Sequence, residues 1–181
     1  MLDKIEQLKR LEPFNRKQIE SVAGIYSFWW TGDLNLLKSL NRNVSLKGKH
    51  LKELDEEGND FLKHDFLWDW NLADGPVCLY VGKSHNIAKR VDGHLCNYRT
   101  SESWYEPGHN QNFLVKHTTA CQFRSGLEHL FKPHNGKTTL EEKLSHIGFS
   151  YLAEPSVTER FYLEDAAIGF LRPWFNVDSE R

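Results

Sequence analysis

Glu164 is the residue that helix packing explains least. The stretch from Thr158 to about Arg172 reads as a helix, capped by Thr158 and stopped by Pro173. At about 100° per residue, Phe161, Ile168 and Leu171 fall on one arc with Ala167 at its edge, and Glu164 lies inside that arc. A carboxylate in an apolar stripe is costly unless it is paired or bound to a metal. On these residues alone two roles are open: a buried salt bridge, with Arg90 or Arg160 as partner, or a metal ligand. Arg90 and His94 stand at i and i+4 on the flank of another helix, whose core face is Ile87, Val91, Leu95 and Tyr98. Such a flank is either a solvated edge or two basic groups converging on an anion. The turn Gly82-Lys83-Ser84-His85-Asn86 leads into that helix. Free N–H groups at a helix start, with the Lys83 charge beside them, favour a phosphate, although many strand-to-helix turns look the same. Tyr26 and Tyr80 lie mid-strand. A strand tyrosine usually packs; two on adjacent strands facing Arg90 would do more.

The elements that must hold these groups are short. Ala23 to Trp30, Val77 to Gly82 and Ile147 to Ala153 read as strands. Asn86 caps a helix running to about Tyr98. Residues 1–20 read as a charged amphipathic helix broken near Pro13. Two long stretches separate the strands. Residues 31–75 are expected to hold helices near 33–40 and 50–65, and residues 99–146 helices near 125–131 and 138–146. Without these insertions the order is strand, strand, helix, strand, helix, which suggests a small antiparallel or mixed α+β layer in one domain spanning 1–181.

Composition narrows the classes. The 181 residues carry 23 Lys plus Arg against 25 Asp plus Glu, a net −2, so a chain-wide basic field is excluded and any positive patch is local. Residues 76–98 hold Lys83, Lys89 and Arg90 against Asp92 alone, with His85 and His94 beside them. The acid collects in 31–75 and 147–181. No window is long and apolar enough for a transmembrane helix, and Met1 to Arg10 lacks a signal-peptide core, so a cytoplasmic protein with no membrane partner is expected. Cys78, Cys96 and Cys121 make neither a disulfide framework nor a Cys-x-x-Cys zinc motif.

Taken together, the residues resemble the GIY-YIG nuclease family. Gly24-Ile25-Tyr26 resembles the first signature, and Tyr80-Val81-Gly82 the second, with Val for the usual Ile. Arg90 follows Tyr80 by ten positions, as in the incision domain of bacterial excision-repair nucleases. Lys83 matches the lysine after the second signature, and His94 a histidine of GIY-YIG restriction enzymes. Glu164 matches the family's metal-binding glutamate, and Pro173-Trp174-Phe175-Asn176 its Pro-x-x-Asn ending. The resemblance covers about 23–30, 77–98 and 147–178. One feature departs from it: 54 positions separate Tyr26 from Tyr80, which is wider than usual and makes 31–75 an insertion between neighbouring strands.

The resemblance implies an α+β fold, a small three-stranded antiparallel sheet flanked by helices with two long insertions. It implies hydrolysis of DNA phosphodiesters with one divalent ion, Mg²⁺ or Mn²⁺, held by Glu164 and water. Arg90 would face the charge developing on phosphorus, Tyr26 would act as base with Tyr80 as partner or the reverse, His94 would assist, and Asn176 would orient tyrosine or backbone groups. Double-stranded DNA is the expected partner, a homodimer is possible, and a sequence-specific restriction-type enzyme fits best, its insertions supplying target contacts. The alternatives are a repair or mobile-element nuclease, or a non-catalytic nucleic-acid-binding module on the same fold.

Overall fold

A computed structural model describes residues 1–40, 43–49, 61–67, 76–95, 123, 126–127, 130–131 and 140–176; at 16, 43–49, 61–67, 93–95 and 140 the description is of the backbone. The chain is α+β. Its main sheet has four antiparallel strands: β1 (Glu12–Pro13), β2 (Gly24–Trp30), β5 (Val77–Ser84) and β6 (Ile147–Ala153), in the order β1-β6-β2-β5. The three expected strands are present, and the fourth is the two-residue β1 on the outer side of β6. A separate ribbon pairs β3 (Asn43–Lys49) with β4 (Phe61–Leu67). The helices are α1 (Leu2–Gln7), α2 (Leu34–Ser39), α3 (Ile87–Leu95), α4 (Leu140–Ser145) and α5 (Val157–Leu171). Among the described residues no helix is long and apolar enough to cross a membrane.

Alternation along β2 sorts its side chains between two layers. Tyr26, Phe28 and Trp30 enter one core with Tyr80, Leu79, Ile87, Val91, Phe123, Phe149 and Phe175. Ile25 and Trp29 enter the other with Ile5, Leu8, Val81, Leu163 and Ala167. Phe28 anchors the first layer, its ring stacked on Phe123 at 4.0 Å and tilted on Phe149 at 5.1 Å. Where β2 meets β5 the register slips between Phe28 and Trp29, so Tyr80 opposes Phe28 while Cys78 opposes Trp29. The extra residue is Leu79, a β-bulge that turns both Leu79 and Tyr80 toward the first layer. Cys78, on the other side, is buried as a free thiol; Cys96 and Cys121 lie outside the described residues.

Several expectations need correction. The N-terminal helix is only six residues long, ending at Gln7 well before Pro13, and Glu12–Pro13 pairs with Phe149 and Gly148 as a strand. The helix expected over 50–65 is replaced at 61–67 by β4, whose ladder to β3 sets Asn43 opposite Leu67; positions 50–60 lie outside the described residues. The last helix is capped by Ser156, not Thr158: its Oγ accepts from Glu159 N at 3.3 Å. Its buried face is Arg160, Leu163, Glu164 and Ala167, whereas Phe161 is 46% exposed. The arc is rotated because Leu163 and Ala167 are the side chains that pack on Ile25 and Val81 of the sheet.

β5 is the outer strand, and an open edge carries unsatisfied backbone groups. The chain covers this one itself. α5 ends on Arg172 in the left-handed conformation (φ 47°), and Pro173 follows. Residues 174–176 are thereby laid along the edge: Trp174 N donates to Cys78 O at 3.2 Å and Phe175 N to Leu79 O at 2.8 Å. Asn176 completes the row with its side chain. Val81 N donates to Asn176 Oδ1 at 2.8 Å, and Asn176 Nδ2 donates to Val81 O at 2.8 Å. The carboxamide thus substitutes for a strand residue. Asn176→Ala leaves both Val81 groups without that partner, and a loss of about 1–3 kcal/mol in denaturant unfolding is expected. Hydrogen exchange at the Val81 amide should accelerate in the same variant, and unchanged protection would mean that the edge is held by something else.

Candidate active site

Gly24 and Gly82 are both required by close approach. A Cβ at Gly24 would lie 2.1 Å from the Leu152 carbonyl oxygen of β6. A Cβ at Gly82 would lie 2.6 Å from Tyr26 Oη and 2.9 Å from a ring carbon of Tyr80. Tyr26 and Gly82 are direct partners across the β2–β5 ladder, so the phenol lies over the bare α-carbon of its neighbour. The Tyr26 and Tyr80 rings stand 6.2 Å apart, tilted by 40°.

α3 supplies the charge above them. Its start is fixed by three contacts: Ile87 N donates to Val22 O at 2.8 Å, Lys89 N donates to Asn86 Oδ1 at 2.9 Å, and Asn86 N donates to Ser84 Oγ at 3.0 Å. Asn86 is the cap expected from the sequence. With Ile87 and Val91 buried, Arg90 is carried to the tyrosines, its Nε buried and its guanidinium hydrogen-bonded to Tyr26. The Tyr80 hydroxyl is also hydrogen-bonded to Tyr26. Burial pushes the Tyr26 phenol well above its usual range; Arg90 and Tyr80 pull it back only in part, and the negative charge of Glu164 adds to the rise.

Lys83 follows Gly82 and therefore points to the opposite layer, where α5 packs. There its ammonium is ion-paired with the Glu164 carboxylate; the side chains are 13% and 10% exposed. The Lys83 Nζ also stands 4.1 Å over the ring centroid of Phe161. Lys83 is thus an ion-pair partner of Glu164 that the sequence reading did not name. Arg160 instead donates to the Glu154 and Pro155 carbonyls at 2.8 Å each, holding the entry to α5.

The structure therefore gathers Tyr26, Tyr80, Arg90, Lys83 and Glu164 around the Gly82 end of β5. Tyrosines and arginine lie on one layer, lysine and glutamate on the other, close enough for the Glu164 charge to act on Tyr26. Asn176 acts through the backbone of Val81. His94 lies on α3 one turn beyond Arg90, and its side chain is outside the described residues. No protein-family model, curated protein or solved structure matches the chain.

Sequence reasoning missed the Lys83–Glu164 pairing and Ser156, and it counted Phe161 as core although its ring lies under the Lys83 ammonium. Period-two alternation from Tyr80 already sends Lys83 to the α5 side, and the Ser156-x-x-Glu159 spacing is a helix-start signature. Phe161 gave no signal, because its ring matters through where Lys83 ends up.

Two outcomes follow for this geometry. Gly82→Ala must push the Tyr26 ring aside, at an expected cost of about 1–3 kcal/mol in denaturant unfolding. The second concerns pH. Unfolded Tyr26 ionises near its ordinary value of 10.0, while the folded phenol titrates higher. The unfolded chain thus loses its proton first, and stability present below pH 10 falls as pH rises beyond it. Tyr26→Phe should flatten that decline; an identical slope would mean that Tyr26 is not held neutral by burial.

Proposed function

We propose that this chain is a divalent-metal-dependent DNA endonuclease of the GIY-YIG type, most similar in its residues to the sequence-specific restriction enzymes. The observation that carries the reading is that a buried phenol, a second tyrosine and an arginine lie at the same strand end as a mostly buried carboxylate and lysine, near enough for the Glu164 charge to act on Tyr26. A structural ion pair needs only Lys83 and Glu164. It has no use for Arg90 turned onto the Tyr26 hydroxyl.

The donor set favours one kind of metal. Among the described residues no group of three His, Cys, Asp or Glu side chains converges, so a cage of protein ligands is not on offer. A single carboxylate suits a hard ion that keeps most of its water, Mg²⁺ or Mn²⁺, and Glu164 would hold it. When bound, such an ion supplies positive charge to a phosphate oxygen and a leaving oxygen. Arg90 offers planar N–H donors to the charge that develops on phosphorus. Tyr26 takes the proton of the attacking water, with Tyr80 as its hydrogen-bond partner; Arg90 favours the phenolate that burial opposes. Asn176 keeps Val81, and with it Tyr80 and Gly82, in register.

Target contacts are assigned to the insertions. The β3–β4 ribbon sits in 31–75, and its ladder sets Lys47 opposite Lys63. Two-stranded ribbons are among the shapes that the major groove of duplex DNA admits. The pairing of Glu164 with Lys83 favours one other reading, a binding module on the same fold whose carboxylate is only a counter-ion. Single-turnover nicking of plasmid DNA with Mn²⁺ separates them. Arg90→Ala is expected to lose roughly 10²–10³-fold in rate while still binding the ion. Glu164→Gln is expected to lose both cleavage and ion binding. Cleavage by Glu164→Gln at the wild-type rate overturns the metal assignment.

A further inference from the structure

Lys83 is in contact with two groups at once. Its ammonium is ion-paired with Glu164 and stands 4.1 Å over the Phe161 ring. The carboxylate is mostly buried, and a buried carboxylate without a counter-charge is strongly unfavourable. A cation on Glu164, here the Lys83 ammonium, removes that cost in the folded chain. The ring is different: Phe161 is 46% exposed, far more than its apolar character needs, and it is turned toward a cation instead of into either core.

We propose that Lys83 is a place-holding cation for Glu164 which yields the carboxylate to the divalent ion, and that the Phe161 ring holds the displaced ammonium. The inference rests on the metal role proposed for Glu164 and adds to it how the site is regulated. A lysine suits the task because its flexible stem lets the ammonium move a short way without moving β5. The face of an aromatic ring is attractive to an ammonium but cannot bind a divalent ion that prefers oxygen, so the two cations do not compete for it. The exchange keeps Glu164 neutralised throughout, so the ion-free protein folds without metal. It also sets the price of metal binding at the loss of one ion pair, which keeps affinity moderate. Phe161 is accordingly a positioning residue that acts through Lys83.

The test is Mn²⁺ binding to the protein alone, followed by the paramagnetic resonance of free Mn²⁺ with no DNA present. Removing the competitor in Lys83→Met is expected to tighten binding by about tenfold, and to enlarge the rise in Tm that Mn²⁺ produces. Phe161→Leu is expected to weaken binding in the wild-type background and to change nothing in the Lys83→Met background, while Phe161→Tyr, which keeps a ring, binds as wild type. Should Lys83→Met fail to fold without metal, Lys83→Gln carries the same expectation with a smaller gain. Unchanged or weaker binding in both Lys83 variants overturns the exchange and leaves the metal reading standing, provided Glu164→Gln abolishes binding. An equal effect of Phe161→Leu with and without Lys83 overturns the role of the ring. Binding that survives Glu164→Gln overturns the exchange and the metal assignment together.

Discussion

The hydroxyl of Tyr26 lies against an α-carbon with no side chain, and the site is built outward from that contact. Tyr26 and Gly82 face each other across the β2–β5 ladder, and a methyl group at Gly82 would stand 2.6 Å from Oη. With that space left open, the phenol passes under α3 and reaches Arg90 and Tyr80. The register that makes them partners is fixed on one side by the pairing of β2 with β6, and on the other by the tail that covers the free edge of β5. Asn176 is part of that cover. A residue with no direct access to the tyrosines thus helps to decide where they stand.

Electrostatics on the two layers are opposed and coupled. The Tyr26 layer brings a positive guanidinium to a neutral buried phenol, and the α5 layer neutralises a buried carboxylate with an ammonium. Each arrangement satisfies the rule that charge leaving water needs a partner. The coupling between them is visible in the effect of Glu164 on Tyr26, which raises the phenol further. Positive charge added near Glu164 would therefore favour the Tyr26 phenolate, so the carboxylate and the phenol form one electrostatic unit.

Much of this architecture was legible in the residues. The three long strands were found within one or two positions, because their apolar runs are short and bounded by Gly, Pro or polar turns. Asn86 as cap and the burial of Glu164 are legible as well. The failures have physical causes. The buried arc of α5 was misplaced because Phe161 was counted as core by its hydrophobicity, although it faces an ammonium at the surface. Lys83 is missed as an ion-pair partner of Glu164 because it is distant in sequence, and strand alternation is what brings it to the α5 side. The helix expected near 50–65 runs into β4, because the ladder of 61–67 with 43–49 is a long-range fact no local window contains. Asn176 was expected to orient tyrosine or backbone groups, and the backbone is what it holds.

The most direct measurement is the fate of supercoiled plasmid incubated with the wild-type chain and Mg²⁺ or Mn²⁺, with the ends of any product mapped. A metal-dependent endonuclease gives nicked and linear DNA that disappears on chelation, with ends that recur at defined sequences if the insertions read a target. Plasmid that stays supercoiled over a range of protein and metal concentrations, while still bound by the protein, contradicts the account and leaves a binding module in its place.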